Sequence, residues 1–318
     1  MNEDALIEAG KAARTRGDLI LAISLYKQAL EFNPGSHPAV RGLGSALHSQ
    51  SEFDAAAEVY RRAISTMEVR DEGGGELGNL YLSLGAALTE LNRLEEAQEK
   101  LVKAAQLGAD ELLLHDSRGH GHLALKQYDE ALVDFNAYIQ LAPTDPIGYI
   151  GKARAFRGKQ EHDLAAEALR IAYALSPENY RVEIALGNLA IDVSDYRGAL
   201  EHYEKAILLE PYSPAIMSNI GLAHLSLGEY EAAKQAFSDA LGQSPNDLKS
   251  LVGSARAEEG LGNGRQAIAL FKSAIVADPS NVSYYAALCS AQAASGKILD
   301  AALTALRGRK VRLRQQKR

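Results

Sequence analysis

The 318-residue sequence contains no tryptophan, a single cysteine and few aromatic residues, which make up 6% of the chain. One cysteine cannot form a disulfide within the chain, so no disulfide framework is expected. No apolar run approaches the ~20 residues that a membrane-spanning helix needs. The acidic start, Asn2-Glu3-Asp4, is not followed by the apolar segment of a secretory signal. The sequence predicts a soluble, cytoplasmic protein; if a leader is missing from it, a periplasmic or lipoprotein form is the alternative.

Catalytic motifs are also missing. The sequence has no P-loop pattern, no G-x-S-x-G and no pair of cysteines. One G-x-G-x-x-G is formed by Gly73, Gly75 and Gly78, but a dinucleotide site requires this motif to follow a strand. Here a helical segment precedes it, so the motif is interpreted as chance in a glycine-rich stretch. We expect no enzymatic activity and no cofactor.

A cluster of histidines invites a metal interpretation, with His115, Asp116, His120 and His122 close together in one helical segment. The spacing of His120 and His122 puts them on different faces of a helix. His115 and His122 do share a face, but it is the packing face. We therefore interpret these histidines as partly buried and hydrogen-bonded, and we expect no metal site.

What the sequence does contain is a long period. Nine alanines are separated by 34 residues in seven of eight intervals and by 41 in the other, namely Ala22, Ala56, Ala97, Ala131, Ala165, Ala199, Ala233, Ala267 and Ala301. With position 1 of the first unit at Glu3, these alanines occupy position 20 of nine units. Small residues recur at position 8, large apolar residues at position 24 and prolines at position 32. A period of this length is typical of stacked helical repeats.

The spacing within each unit predicts two amphipathic helices joined by a short turn. Positions 4, 7, 8 and 11 share one helical face, and so do positions 17, 20, 24 and 27. Turn residues fall between the two segments at five pairs, Gly17-Asp18, Asn92-Arg93, Gly228-Glu229, Gly262-Asn263 and Gly296-Lys297. Polar residues beside the prolines suit helix caps, at Asp145, Asn179, Asp247 and Asn281. Essentially no β structure is expected.

These positions resemble the consensus of the tetratricopeptide repeat (TPR) family, which has a small residue at 8, alanine at 20 and 27, an aromatic at 24 and proline at 32. The resemblance implies an all-α fold, an α-solenoid in which about nine helix-turn-helix hairpins form a right-handed superhelix. The usual tryptophan at position 4 is missing, and His115 and Glu183 are poor substitutes for it. Cys289 stands at position 8 of the last repeat, so a buried packing thiol is expected.

Two segments fall outside the repeat. Residues 71–77 are a glycine-rich insertion between repeats 1–2 (residues 3–70) and repeats 3–9 (residues 78–306), and they predict a flexible loop, a kinked helix extension or a hinge. Residues 307–318 form a C-terminal tail with seven basic residues and no acidic one. We interpret its charges as the polar, solubilising outer face that the end of a solenoid needs. We also expect this tail to be the segment most prone to disorder.

The resemblance also implies a binding surface, because the free face of the first helix in each TPR lines a peptide-binding groove. The polar residues on that face in repeats 5–8 are Arg154, Arg157, Arg181, Asn188, Ser218, Asn219, Lys249 and Arg256. Asn188, Asn219 and Lys249 match three of the five positions of the family's carboxylate clamp, whereas Ile184 and Gly253 replace its other lysine and its arginine. The strip is suited to a carboxylate or an acidic peptide.

The sequence therefore predicts a scaffold or adaptor that binds another protein or peptide, with an acidic segment or a free C-terminus. Two other function classes remain. The basic tail could bind nucleic acid or an acidic partner, and the exposed ends of the solenoid could promote self-association. The acidic body argues against a repeat-by-base nucleic-acid code.

Overall fold

The computed structural model describes residues 2–70, 73–210 and 213–315. In these ranges the regular structure is helical, and the helices are α1 Glu3–Thr15, α2 Leu19–Phe32, α3 His37–Ser49, α4 Phe53–Val69, α5 Gly75–Glu90, α6 Leu94–Gln106, α7 Glu111–Ala124, α8 Tyr128–Leu141, α9 Pro146–Gly158, α10 His162–Leu175, α11 Tyr180–Asp192, α12 Tyr196–Leu209, α13 Pro214–Ser226, α14 Tyr230–Gln243, α15 Leu248–Gly260, α16 Gly264–Ala277, α17 Val282–Ala294 and α18 Ile298–Gln315. Each predicted repeat is one odd-numbered helix, called helix A here, followed by one even-numbered helix B. No helix in the described part of the chain is both long and apolar enough to span a membrane.

The chain divides into two compact units, residues 1–175 with α1–α10 and residues 176–318 with α11–α18. Within each unit, helix A packs against helix B of its own repeat and against helix A and helix B of neighbouring repeats. The predicted all-α solenoid of helical hairpins is confirmed.

Each helix A ends in the same turn. Position 15 has a positive φ, between 56° and 80°, in all nine repeats, at Gly17, Ser51, Asn92, Lys126, Gln160, Ser194, Gly228, Gly262 and Gly296. The next residue's N–H donates to the carbonyl of position 11 across 2.8–3.0 Å in every case. This is the Schellman arrangement, which satisfies a carbonyl that the helix end would otherwise leave unpaired. The turn is therefore a property of the repeat, although only four of the nine residues are glycine and one is asparagine.

Side-chain caps begin many of the A helices, as predicted. The carboxylates of Asp145 and Asp247 and the amides of Asn179 and Asn281 each accept a hydrogen bond from a backbone N–H in the first turn, over 2.9–3.1 Å. Such caps contribute about 1 kcal/mol each. They fix the point at which helix A starts after the proline-containing loop.

The small residue at position 8 is explained by the ring at position 24 of the same repeat. A Cβ added to Gly10 would lie 2.8 Å from the Tyr26 ring, and one added to Gly221 would lie 2.7 Å from Phe237. The next helix A approaches the same ring with its position 6, since a Cβ on Gly253 would lie 2.2 Å from Phe237. The ring therefore fills the space between consecutive A helices. The three atoms nearest to the added Cβ belong to this ring at both Gly10 and Gly221, whereas a Cβ on Gly85 would also lie 3.3 Å from the carbonyl oxygen of Ala97 at position 20.

The insertion is largely taken up by the helices around it. α4 has 17 residues where α2 has 14, and α5 begins at Gly75, so residues 75–77 of the predicted loop are helical. Asp71 and Glu72 lie outside the described residues.

The C-terminal segment also differs from the expectation of disorder, because α18 continues through Gln315. The Gln315 amide donates to the carbonyl of Ser280 across 2.9 Å. Residues 316–318 lie outside the described residues.

Candidate functional site: a polar ladder on the A helices

Three of the predicted binding residues form a hydrogen-bonded ladder in the second unit. The Asn219 amide of α13 donates to Asn188 Oδ1 of α11 across 3.4 Å, and the Lys249 ammonium of α15 donates to Asn219 Oδ1. Tyr203, the ring at position 24 of the same repeat as Asn188, also donates its hydroxyl to Asn188 Oδ1, at 2.8 Å. We call Asn188, Asn219 and Lys249 the polar ladder. It runs across three successive A helices.

The hydrogen bonds of the ladder use its amide oxygens as acceptors and leave some of its N–H donors unused. Asn188 Oδ1 accepts two hydrogen bonds and Asn219 Oδ1 accepts one. An ammonium has three donor hydrogens and an amide has two, so Lys249 and Asn188 keep N–H groups for another partner. Burial lowers the pKa of Lys249, and the neighbouring Asp247 carboxylate acts in the opposite direction. The ladder is therefore complementary to oxygen acceptors, such as carboxylates and peptide carbonyls.

Arg256 adds a positive charge on the same helix as Lys249. It is exposed, and it lies seven residues after Lys249, which is two helical turns. Arg181 of α11 is also exposed; its Nε donates to the hydroxyl of Tyr180 across 3.2 Å, and its guanidinium lies 5.8 Å from the centre of that ring. Both arginines thus lie on A helices that carry the ladder.

Ser218 does not belong to this surface. Its side chain is 1% exposed, and its Oγ lies 2.6 Å from Ser250 Oγ and 3.0 Å from Asp247 Oδ2. These contacts join α13 to α15 and to Asp247, the residue that caps α15. The prediction of Ser218 as a groove residue is wrong, because in this repeat a polar contact between neighbouring helices replaces the usual apolar one.

The predicted residues of the first unit form a separate cluster. Arg154 of α9 donates from Nη1 to Nε2 of His120 on α7, across 2.8 Å. His120 Nδ1 lies 3.1 Å from the carbonyl of Asp116, which requires the neutral tautomer with its proton on Nδ1. Burial lowers the pKa of His120, with Arg154 adding to this effect and Asp116 opposing it. Asp116 Oδ1 is buried and has no hydrogen-bond partner.

Arg157 lies one turn after Arg154 on α9 and is half-buried. Burial lowers the pKa of Arg154 and the charge of Arg157 lowers it further, whereas Glu90 and Asp116 raise it. The two arginines therefore share a face on which acidic residues also occur.

Sequence reasoning missed the partners of a set of buried carboxylates. Asp134 and Glu183 are each 3% exposed at the side chain and are paired with histidines, His115 and His202, at 2.8 and 2.7 Å. Glu258, 7% exposed, contacts Lys234 at 2.9 Å. The sequence signal was a polar residue in place of an apolar one, at position 4 for His115 and Glu183 and at position 11 for Glu258.

The three predicted histidines of α7 are hydrogen-bonded, as the sequence indicates. His115 contacts Asp134, His120 contacts Arg154 and His122 Nδ1 lies 2.8 Å from Gln127 Oε1.

Cys289 is half-buried, in contrast to the buried packing thiol that was expected.

The sequence matches two family models, both described as tetratricopeptide repeat. One covers residues 7–73, 117–180 and 184–247, and the other covers residues 224–293. Among solved structures, the chain is similar to the APC/C hetero-tetramer Cut9-Hcn1, with a TM-score of 0.65 and 20% identity over 91% of this chain and 55% of that one. It is also similar to yeast Tom70, with a TM-score of 0.52 and 14% identity over 99% of this chain and 90% of that one. At these identities the likeness concerns the fold.

Curated relatives match only in part. The chain is 32% identical to the heat-shock protein cognate (HSC) co-chaperone sgt12 of Aspergillus fumigatus over 115 residues, which are 36% of this chain and 33% of the relative. It is 23% identical to human protein O-mannosyl-transferase TMTC1 over 222 residues, 68% of this chain and 24% of the relative. The chain thus spans between a quarter and a third of these relatives' length.

The repeated hairpins, the ring between small residues and the two family models lead to one assignment. Proteins built of these repeats generally mediate protein–protein interactions and are usually non-catalytic, although some relatives carry the name of an O-mannosyl-transferase. The chain belongs to the tetratricopeptide repeat family.

Proposed function

We propose that this protein is a non-enzymatic adaptor that binds an acidic segment of another protein along α11, α13 and α15. The observation that supports this best is the polar ladder, whose amide oxygens are already occupied while its N–H groups remain available. A ligand that completes the ladder has to supply oxygen acceptors. Peptides supply them as backbone carbonyls and carboxylates.

The charges on α15 favour a carboxylate over a neutral acceptor. Lys249 and Arg256 stand two turns apart on one face, about 10 Å along the helix axis. A segment with two carboxylates at a similar separation would satisfy both cations. One of the two carboxylates could be the C-terminus of the partner.

The ladder resembles the family's carboxylate clamp without reproducing it. Gly253 stands where the clamp has its arginine, and a side chain there would run into the Phe237 ring, 2.2 Å from the added Cβ. Arg256 is exposed one turn later on the same helix. We infer that Arg256 supplies the second charge and that the ligand extends further toward the end of α15.

Calorimetric titration with ten-residue acidic peptides tests the proposal. Each peptide is prepared with a free and with an amidated C-terminus. Lys249→Gln and Arg256→Gln are expected to weaken binding about tenfold each, because each removes a charge-assisted hydrogen bond. Lys205→Gln on α12, where the lysine is also exposed, is the matched control and should bind as the natural chain does.

These variants are preferable to alanine at the two asparagines. Asn188→Ala would leave the Tyr203 hydroxyl without its acceptor, so lost binding could reflect lost packing. If no peptide binds, or if Lys249→Gln and Arg256→Gln bind as well as Lys205→Gln, the ladder is not the binding site. A dependence on the free C-terminus would place the terminal carboxylate at one of the two cations.

A further inference from the structure

The last repeat differs from the others at the residues that stack against a following helix A. Position 24 is buried in all eight earlier repeats, at Tyr26, Tyr60, Leu101, Phe135, Leu169, Tyr203, Phe237 and Phe271, each at most 3% exposed. In repeat 9 this position is Ala305, which is exposed. Position 28 is apolar in those repeats and is Arg309 in repeat 9.

A groove of about 450 Å³ lies where these changes occur, between α17 and α18. We call it the end groove; it is lined by Ala286, Cys289, Ala305 and Gly308, with Arg309 and Arg312 among the lining residues. In residues 2–70, 73–210 and 213–315, neither arginine has a carboxylate within ion-pair distance. The groove thus combines these small residues and two positive charges with the larger side chains of Val282 and Tyr285.

The first helix, α1, also differs from the other A helices, and its differences are complementary to those that line the end groove. Position 6 is small or an amide in repeats 2–9, and it is Glu8 in repeat 1. Position 10 is a buried alanine in six later repeats, at Ala46, Ala87, Ala155, Ala223, Ala257 and Ala291, whereas Ala12 of α1 is exposed. α1 therefore presents a stacking face on which alanines flank a carboxylate.

The register between neighbouring repeats defines how such a face meets a groove. Position 6 lies against position 24 of the preceding repeat, as Gly253 does against Phe237. Position 3 lies against position 28, as Gly148 does against Ile139. By the same register, Glu8 would lie over Ala305, where no ring fills the space.

Charges agree with this register. Asp4 and Glu8 are exposed and lie one turn apart on α1, and Arg309 and Arg312 lie one turn apart on α18. Ala5, at position 3, would lie beside Arg309, which puts the arginine between the two carboxylates. Glu8 contacts Lys11 at 2.7 Å, but both side chains are more than half exposed, so exchanging this pair for another costs little.

We propose that copies of this chain associate head to tail, with α1 of one copy in the end groove of the next. The contact repeats the packing of helix A on helix B, with an alanine and an arginine in place of the ring and its apolar neighbour. Such a contact joins two different surfaces, so each added copy leaves one of each available. Chains of copies are expected, not closed dimers.

Sedimentation velocity over a range of concentrations at low salt tests this proposal. The weight-average mass of the natural chain is expected to rise with concentration past that of a dimer and to fall at high salt. Glu8→Arg and Arg309→Glu should each reduce it to the monomer mass. The chain with both substitutions should associate again, because the two reversed charges attract each other across every contact.

Glu167→Arg and Arg170→Glu are the matched controls, since both residues are exposed on α10 and belong to neither α1 nor the end groove. Circular dichroism checks that every variant keeps its helix content. A monomer at all concentrations, a closed dimer unaffected by the charge reversals, or a double variant that stays monomeric would each overturn the proposal. Peptide binding to the polar ladder is measured separately and does not depend on the result.

Discussion

Glu183 and His202 form a hydrogen-bonded pair in repeat 6, with Oε2 of the carboxylate 2.7 Å from Nδ1 of the imidazole. They occupy positions 4 and 23 of the repeat. In repeat 4 the same two positions hold His115 and Asp134, 2.8 Å apart. The two repeats thus contain the same pair in opposite orientation, and in each the carboxylate is the more deeply buried member.

Removing the histidine of this pair is expected to destabilise the fold. His202→Ala leaves the Glu183 carboxylate buried without its donor, which costs about 1–3 kcal/mol. The double variant Glu183→His/His202→Asp copies the orientation of repeat 4 and should recover most of the loss. Urea unfolding followed by circular dichroism measures both. Double-variant stability no better than that of Glu183→His alone would mean that the two orientations are not equivalent.

This pair also marks what the sequence could not predict. At position 4 alone, His115 and Glu183 indicate only a departure from the tryptophan that the family has there. Their partners lie 19 residues later on the other helix, a separation that helical periodicity does not connect. The exchange of carboxylate and histidine between repeats 4 and 6 becomes visible only when positions 4 and 23 are compared together.

The sequence likewise predicts some of the turns and some of the site residues, and not the others. Glycine and asparagine identify five of the turns, but Ser51, Lys126, Gln160 and Ser194 adopt the same positive φ with no local signal. The repeat register alone predicts those four. For the site, the register puts Asn188, Asn219 and Lys249 on one helical face, and the structure joins the three by hydrogen bonds. It misplaces Ser218, whose polarity serves a buried contact with Ser250 that a surface pattern does not distinguish.

Gly253 provides a second test of the packing. In Gly253→Ala the new Cβ would lie 2.2 Å from the Phe237 ring, so the ring or the helix must shift. Overpacking of this kind costs about 1–3 kcal/mol. Gly242→Ala is the matched control, because no atom lies within 4 Å of the added Cβ and alanine is the better helix former. Thermal unfolding should show a lower midpoint for the first variant and an unchanged or higher one for the second; equal midpoints would contradict the role of the ring.

His120 should titrate below the usual histidine range. Its pKa is lowered mainly by burial, and Arg154 adds to this while Asp116 opposes it. Arg154→Gln is therefore expected to raise the pKa of His120, and Asp116→Asn to lower it further. NMR titration of the imidazole measures both shifts, and shifts of the same sign would contradict the assigned contacts.

The lowered pKa of His120 also makes the stability of the fold depend on pH. Because the folded pKa of His120 lies below the unfolded one, its contribution to stability is complete above the unfolded pKa, about 6.5. It decreases as the pH falls through and below that value. Arg154→Gln should reduce this loss between pH 7 and pH 5.

Glu258 and Glu259 are adjacent on α15 and should respond to acid in opposite ways. Burial raises the pKa of Glu258, but hydrogen bonds from Lys234 and Asn263 outweigh it and hold the pKa below its usual value. The pKa of Glu259 is raised by burial, with Arg256 opposing the effect. Ionised Glu258 therefore stabilises the fold, whereas ionised Glu259 destabilises it.

The directions of these two pKa shifts determine how stability should depend on pH. A carboxylate with a lowered folded pKa contributes stability above its unfolded pKa, about 4.3, and loses it as the pH falls through the folded value. Glu258→Gln should thus unfold at a lower temperature than the natural chain at pH 7, with a gap that closes toward pH 3. Glu259→Gln should be as stable or more stable at pH 7, because it removes the ionised form that burial disfavours. A gap for Glu258→Gln that stayed constant from pH 7 to pH 3 would mean that its carboxylate contributes through packing and not through its charge.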